Sequence, residues 1–176
     1  MNYIGTERTN YVELGDGLTR ADLEAHLDLI GFYADVQKKE GRFAFFASSC
    51  DSGVFNYWLS PEPVESSKYT KEQLRRAADA LGVDVSSLLG EDGAEELPQE
   101  MEFSWGMIMP LVAPGHVLVV MAVGSEGARY VSGNASAYVR DDSGEVRETH
   151  ISLESIYDDA VKILGVDGHQ VTRAEY

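Results

Sequence analysis

Two residues in this chain have the chemistry of a nucleophile and its base. Cys50 is the one cysteine, and His116 opens an apolar run just after Ala113-Pro114-Gly115. A cysteine attacks as its thiolate, and a neighbouring imidazole is the usual group that holds it in that form. Asp51 opposes this, because a negative charge beside a thiol raises its pKa. Metal chemistry has less to work with. The remaining histidines, His26, His150 and His169, lack both the i, i+4 pairing and the cysteine partners of a zinc site. Asp141, Asp142 and Glu145 lack the spacing of a helix-loop-helix calcium loop. No glycine-rich phosphate loop joins a strand to a helix, and Gly124-Ser125-Glu126-Gly127 reads as a hairpin turn in which Glu126 would repel a phosphate. The expectation is therefore no metal and no cofactor.

The stronger chemical signal is charge. Thirty Asp and Glu against fourteen Lys and Arg give a formal net charge of −16. The segment 84–102 carries Asp84, Glu91, Asp92, Glu95, Glu96, Glu100 and Glu102 with no basic residue among them. A second group, Asp141, Asp142 and Glu145, sits near a turn and is diluted by Arg140 and Arg147. Such a surface repels nucleic-acid backbones and anionic membranes over about 8–10 Å and steers a basic partner inward. These features predict a non-enzymatic acidic binding or inhibitor protein that occupies a basic site on another macromolecule. The partner expected is a basic protein, including a nucleic-acid-binding enzyme. That makes the chain a mimic of nucleic-acid charge of the anti-defence or immunity type, with these ten carboxylates as its contacts. Trp58, Trp105 and the tyrosines have no basic groove beside them and read as core or sheet-face residues rather than a base-stacking platform.

Two alternatives stand beside this reading. A cysteine in Ser49-Cys50-Asp51-Ser52-Gly53, followed by a strand-borne His116, resembles the papain-like cell-wall peptidases, whose cysteine heads a helix within Asp-Cys-Ser-Gly. The resemblance implies a cysteine hydrolase with Cys50 as nucleophile and His116 as base. It covers two short patches, and the sequence departs from the family pattern at each neighbour of the cysteine. The other alternative is an oligomeric structural or adaptor protein, pairing copies through an exposed strand edge.

The elements that must position these residues are legible from periodicity. An edge strand is expected around 11–14. Thr19 is the predicted cap of a helix that buries Leu23, Leu27, Ile30 and Ala34 and runs to about Lys39, interrupted at Gly31. Segments 42–48 and 54–60, rich in aromatic and β-branched residues, read as a hairpin around 49–53. Thr70, Gln73 and Tyr69 predict a capping box and staple for a helix through Leu74, Ala77, Ala78 and Leu81, closed by Gly82. A short helical turn is expected next at Val85, Leu88 and Leu89, and then the acidic loop.

Residues 101–150 read as a four-strand meander: 103–112, 116–123, 128–140 and 146–150. In its third strand Val131, Ala135, Ala137 and Val139 are expected on the buried face, and Tyr130, Ser132, Asn134, Ser136 and Tyr138 on the polar one. Gly133 marks a bulge or a close approach. A last helix should begin near Ser152 and end at Gly165. Clustered antiparallel strands with helices before, between and after describe a single α+β domain over 1–176, with about three helices mainly on one face of an antiparallel sheet. With 44% hydrophobic residues the chain can bury a core. One cysteine points to a reducing compartment, and neither a membrane-length apolar run nor a leader-like start is present, so a cytoplasmic protein is expected.

Overall fold

A computed structural model describes residues 4–47, 55, 57–126, 130–153 and 155–164. Its centre is a six-stranded antiparallel sheet in the order β2-β3-β1-β6-β7-β8, comprising β1 (Ile4–Thr9), β2 (Ala34–Lys39), β3 (Arg42–Ala47), β6 (Val117–Glu126), β7 (Tyr130–Arg140) and β8 (Val146–Ser152). Two further short strands, β4 (Trp58–Leu59) and β5 (Met101–Glu102), pair as a separate ribbon. The α-helices are α1 (Arg20–Ile30), α2 (Lys71–Leu81), α3 (Val85–Leu88) and α4 (Ser155–Leu164). This is the α+β architecture with an antiparallel sheet that the patterning predicts. No helix among the described residues is long and apolar enough to cross a membrane.

The two principal helices start as their sequences dictate. Thr19 caps α1 by accepting from Asp22 N, and the Asp22 carboxylate accepts in return from the Thr19 backbone and hydroxyl. Those hydrogen bonds from Thr19 hold the Asp22 carboxyl below its usual pKa. Thr70 and Gln73 form the same reciprocal box on α2. The two caps are tied together, since Gln73 Nε2 donates to Asp22 Oδ1 at 3.1 Å and the Tyr69 hydroxyl donates to Asp28. α1 and α2 therefore pack as one layer. Leu23, Leu27 and Ile30 from α1, Leu74, Ala77 and Leu81 from α2, Phe43 and Phe45 of β3, and Leu118 and Val120 of β6 share one buried hydrophobic cluster.

Several boundaries differ from expectation. The first helix ends at Gly31, whose φ of 70° closes it in the left-handed conformation, so 34–39 is free to form a strand. That strand pairs with β3 across Glu40-Gly41, and β3 pairs on its other side with β1, while Trp58-Leu59, within the described part of 54–60, pairs with Met101-Glu102. The N-terminal strand is 4–9 rather than 11–14, and it is central rather than at an edge; Val12 and Leu14 make only isolated bridges. Segment 103–112 is not a strand. Ser104 Oγ accepts from Gly106 N and starts a 3₁₀ turn at Trp105–Met107, and Pro110 stands in a second at Met109–Leu111. The predicted short helix, acidic loop and 141–144 turn are present, with Asp141 Oδ1 accepting from Ser143 and from Glu145 N. The predicted turn at 49–53 and the stop at Gly165 lie outside the described residues. β6 continues through Glu126, so the chain is still in a strand over most of the predicted turn at 124–127.

The largest correction concerns which side of β7 faces the core. Register sets Ser136 beside Val120, Tyr138 beside Leu118 and Asn134 beside Ala122. Because Val120 and Leu118 are buried in the core, the polar side of β7 faces inward. The apolar side of this half of the sheet faces out: Val123 is 59% and Ile151 64% exposed, and Met121 and Leu153 join them. Gly133 sits on that outer side in regular pairing with Val123, without a bulge. It permits a close approach, since a Cβ there would lie 3.0 Å from Leu153.

Candidate functional site

The acidic loop is built on the end of the helical layer. After Gly82 releases the chain from α2, α3 makes a single turn and Gly90, with φ 61°, reverses the direction against Pro63. Glu91, Glu95 and Glu96 then line an open groove of about 340 Å³ whose other wall includes Pro61, Pro63 and Pro98. All three carboxylates are exposed, and none forms an ion pair among the described residues. Ser87 lines the same groove, and its hydroxyl is buried without a hydrogen-bond partner.

The remaining predicted contacts are dispersed. Asp84 precedes α3 and makes no side-chain cap, Asp92 and Glu100 are exposed beside the groove in sequence, and Glu102 belongs to β5 and lines a different cleft. Asp141, Asp142 and Glu145 lie in the β7–β8 turn, where hydrogen bonds led by the Ser143 hydroxyl keep the Asp141 carboxyl below its usual pKa. Several basic residues elsewhere are ion paired. Arg75 holds Glu72 and Asp79, Arg20 holds Glu24, and Arg42 holds Glu13. Glu24, Glu72 and Asp79 on α1 and α2 are thus ion paired, whereas among the described residues the groove carboxylates are not.

A second site is not legible in the sequence. On the inner face of the sheet a cleft of about 650 Å³ lies between β1, β6, β7 and β8 on one side and the aromatic residues Phe55, Tyr57, Phe103 and Trp105 on the other. Those aromatics pack edge to face, with Phe103 and Trp105 centroids 5.1 Å apart at 81° and Phe55 and Trp105 5.2 Å apart at 76°. Glu7 stands on the cleft floor, opposite Ala122 in the ladder and only 5% exposed. Its Oε2 accepts from Phe55 N at 2.9 Å and its Oε1 accepts from the Tyr57 hydroxyl. Burial, reinforced by Glu7, drives the Tyr57 phenol well above its ordinary pKa, so it remains a donor. Trp105 Nε1 donates in turn to Tyr57 at 3.5 Å. The alternation of 4–9 marks Glu7 as facing the same way as Thr9; nothing local reveals that this way is inward.

Ser136 and His150 meet on the far wall of the cleft as directly opposed residues of β7 and β8, with Oγ and Nδ1 3.0 Å apart. This is the reach of a nucleophile and base, but Ser136 lies mid-strand, between β6 and β8. Its neighbouring backbone N–H groups are committed to the ladder, not free to hold an oxyanion. The two side chains are hydrogen-bonded to each other on that wall. Of the predicted catalytic pair, Cys50 lies outside the described residues. His116 is partly exposed, with Nε2 3.8 Å from Glu13 Oε2. No group of three or more His, Cys, Asp or Glu among the described residues is placed to hold a metal ion. Comparison with protein-family models, with curated proteins and with solved structures finds no match to this chain.

Proposed function

We propose that the protein is an acidic docking protein that seats a basic segment of a partner macromolecule in the groove of the 84–102 loop, and so blocks that partner's own anionic ligand. The observation that carries this reading is the convergence of Glu91, Glu95 and Glu96 on one open groove without compensating cations among the described residues. Lys and Arg side chains of the partner pair with these carboxylates, while the surrounding charge of −16 accelerates encounter more than it sets final affinity. A nucleic-acid-binding enzyme is the partner class whose surface such a groove complements, which makes the action an anti-defence or immunity-type inhibition. The test begins with capture of a partner at low salt and its identification, followed by association kinetics. The expected result is a steep fall in association rate with rising salt. Replacing Glu91, Glu95 and Glu96 together by Gln should lower that rate at least tenfold at low salt. A complex indifferent to salt, or equally fast with the triple variant, refutes the reading.

A further inference from the structure

We infer that the inner-face cleft is a binding site for an organic cation that donates N–H hydrogen bonds, a guanidinium group, independently of the acidic groove. The starting point is Glu7, a buried carboxylate that accepts from the Phe55 amide and the Tyr57 phenol, both of them neutral donors. A carboxylate offers about four lone-pair sites, so acceptor capacity remains after these two bonds. No Lys, Arg or His pairs with Glu7 among the described residues, whereas a charge removed from water is ordinarily matched by an opposite one. The rest of the lining extends the same preference. Glu102 adds a second carboxylate, Asn134 and Ser136 add side-chain oxygens, and no Lys or Arg lines the cleft among the described residues.

The opposite wall is aromatic, which suits a guanidinium that stacks through its plane and donates from its edge. An anionic ligand meets two carboxylates there, and a neutral apolar one leaves Glu7 without a counter-charge. The volume of about 650 Å³ lies within the ordinary range for small-molecule sites.

The full chain is titrated, at 0.3 M salt to suppress diffuse attraction, with N-acetyl-arginine methylamide and with its uncharged isostere N-acetyl-citrulline methylamide. The Trp105 indole N–H signal serves as the reporter. Saturable binding of the arginine compound at least tenfold tighter than the citrulline compound is expected. Glu7→Gln and Ala122→Phe, which fills the cleft from β6 without removing a hydrogen bond, should each lower affinity at least tenfold. Glu62→Gln, an exposed carboxylate elsewhere, should leave it unchanged. If Glu7→Gln does not fold, Ala122→Phe decides. Agmatine binding as well as the arginine compound identifies a free metabolite as the source, and agmatine failing identifies an arginine side chain; both support the site. Equal affinity for the arginine and citrulline compounds, no binding of either, or full affinity in Ala122→Phe overturns it.

Discussion

Acidification should expose the cost of burying His26, and the size of that cost depends on where the ring sits. His26 lies on the inner face of α1 at 1% exposure. Its Nε2 is 2.9 Å from the Met107 carbonyl, which can only accept, so the bound tautomer is the one protonated on Nε2. Nδ1 is buried without a hydrogen-bond partner. Burial outweighs the stabilising Met107 bond and lowers the ring from its ordinary 6.5 to about 4. The unfolded chain therefore takes up the proton first: stability is intact above about pH 6.5 and is lost as pH falls towards 4. At about 1.4 kcal/mol per pKa unit, the loss reaches about 2 kcal/mol between pH 7 and pH 5 and levels off near about 3 kcal/mol. His26→Leu deletes both the unpaired nitrogen and the titration but leaves the Met107 carbonyl without its donor, and should cost about 1–3 kcal/mol at pH 7, a cost that does not depend on pH. Urea unfolding of parent and variant at pH 7 and pH 5, monitored by tryptophan fluorescence, isolates the His26 share from that of the carboxylates. The variant should lose about 2 kcal/mol less than the parent over that interval. Equal losses in the two proteins would show that the ring is protonated, or reaches water, in the folded state.

Two further substitutions probe the layer over the sheet. Tyr57→Phe removes the hydroxyl that donates to buried Glu7 and accepts from Trp105, leaving the carboxylate with the Phe55 amide alone. A hydrogen bond to a charged group is worth about 1.5–3 kcal/mol, so a loss of that size is expected in denaturant unfolding, and one below about 0.5 kcal/mol would mean that water replaces the phenol. Gly31→Ala and Gly41→Ala compare two left-handed positions, at φ 70° and φ 81°. At Gly41 a Cβ meets nothing within 4 Å, and the cost should be the backbone penalty of about 1 kcal/mol. At Gly31 the Cβ lies 3.1 Å from the Ser60 carbonyl, so the midpoint should fall clearly further. Equal midpoints would show that the α1–β4 packing yields.

Local chemistry is the legible part of this fold. The boxes at Thr19 and Thr70 and the left-handed glycine at Gly82 involve partners three to five residues apart, so the sequence carries the whole interaction. Even Gly31 is visible as a break, but its strength as a terminator depends on the structure of the segment beyond it. Without knowing that β3 offers an edge for pairing, 34–39 continues the helical spacing well enough to be mistaken for it. Segment 103–112 errs in the opposite direction. It is as apolar as a strand because most of it is buried, and a largely buried run carries little period to read. Only the small Ser104 cap and Pro110 hint at turns.

The two candidate sites divide along the same line. The carboxylates of 84–102 can be named from sequence because an exposed loop advertises its charge without any fold. That Glu91, Glu95 and Glu96 share a groove while Glu102 turns to another cleft requires the prolines and β5 to be placed. The inner cleft is invisible in the sequence, since Glu7, Tyr57, Trp105, Ser136 and His150 come from segments far apart in the chain and meet through strand register. The sequence by itself determined the class of fold, the starts of α1 and α2 and the acidity, all consequences of short-range bonding or composition. The last helix begins at Ser155, after β8 has run through the Ser152 expected to start it. The tertiary structure decided which face of β7 is inside and what that face encloses. A strand presents one side chain set up and the other down; only pairing with a neighbour whose burial is already settled chooses between them.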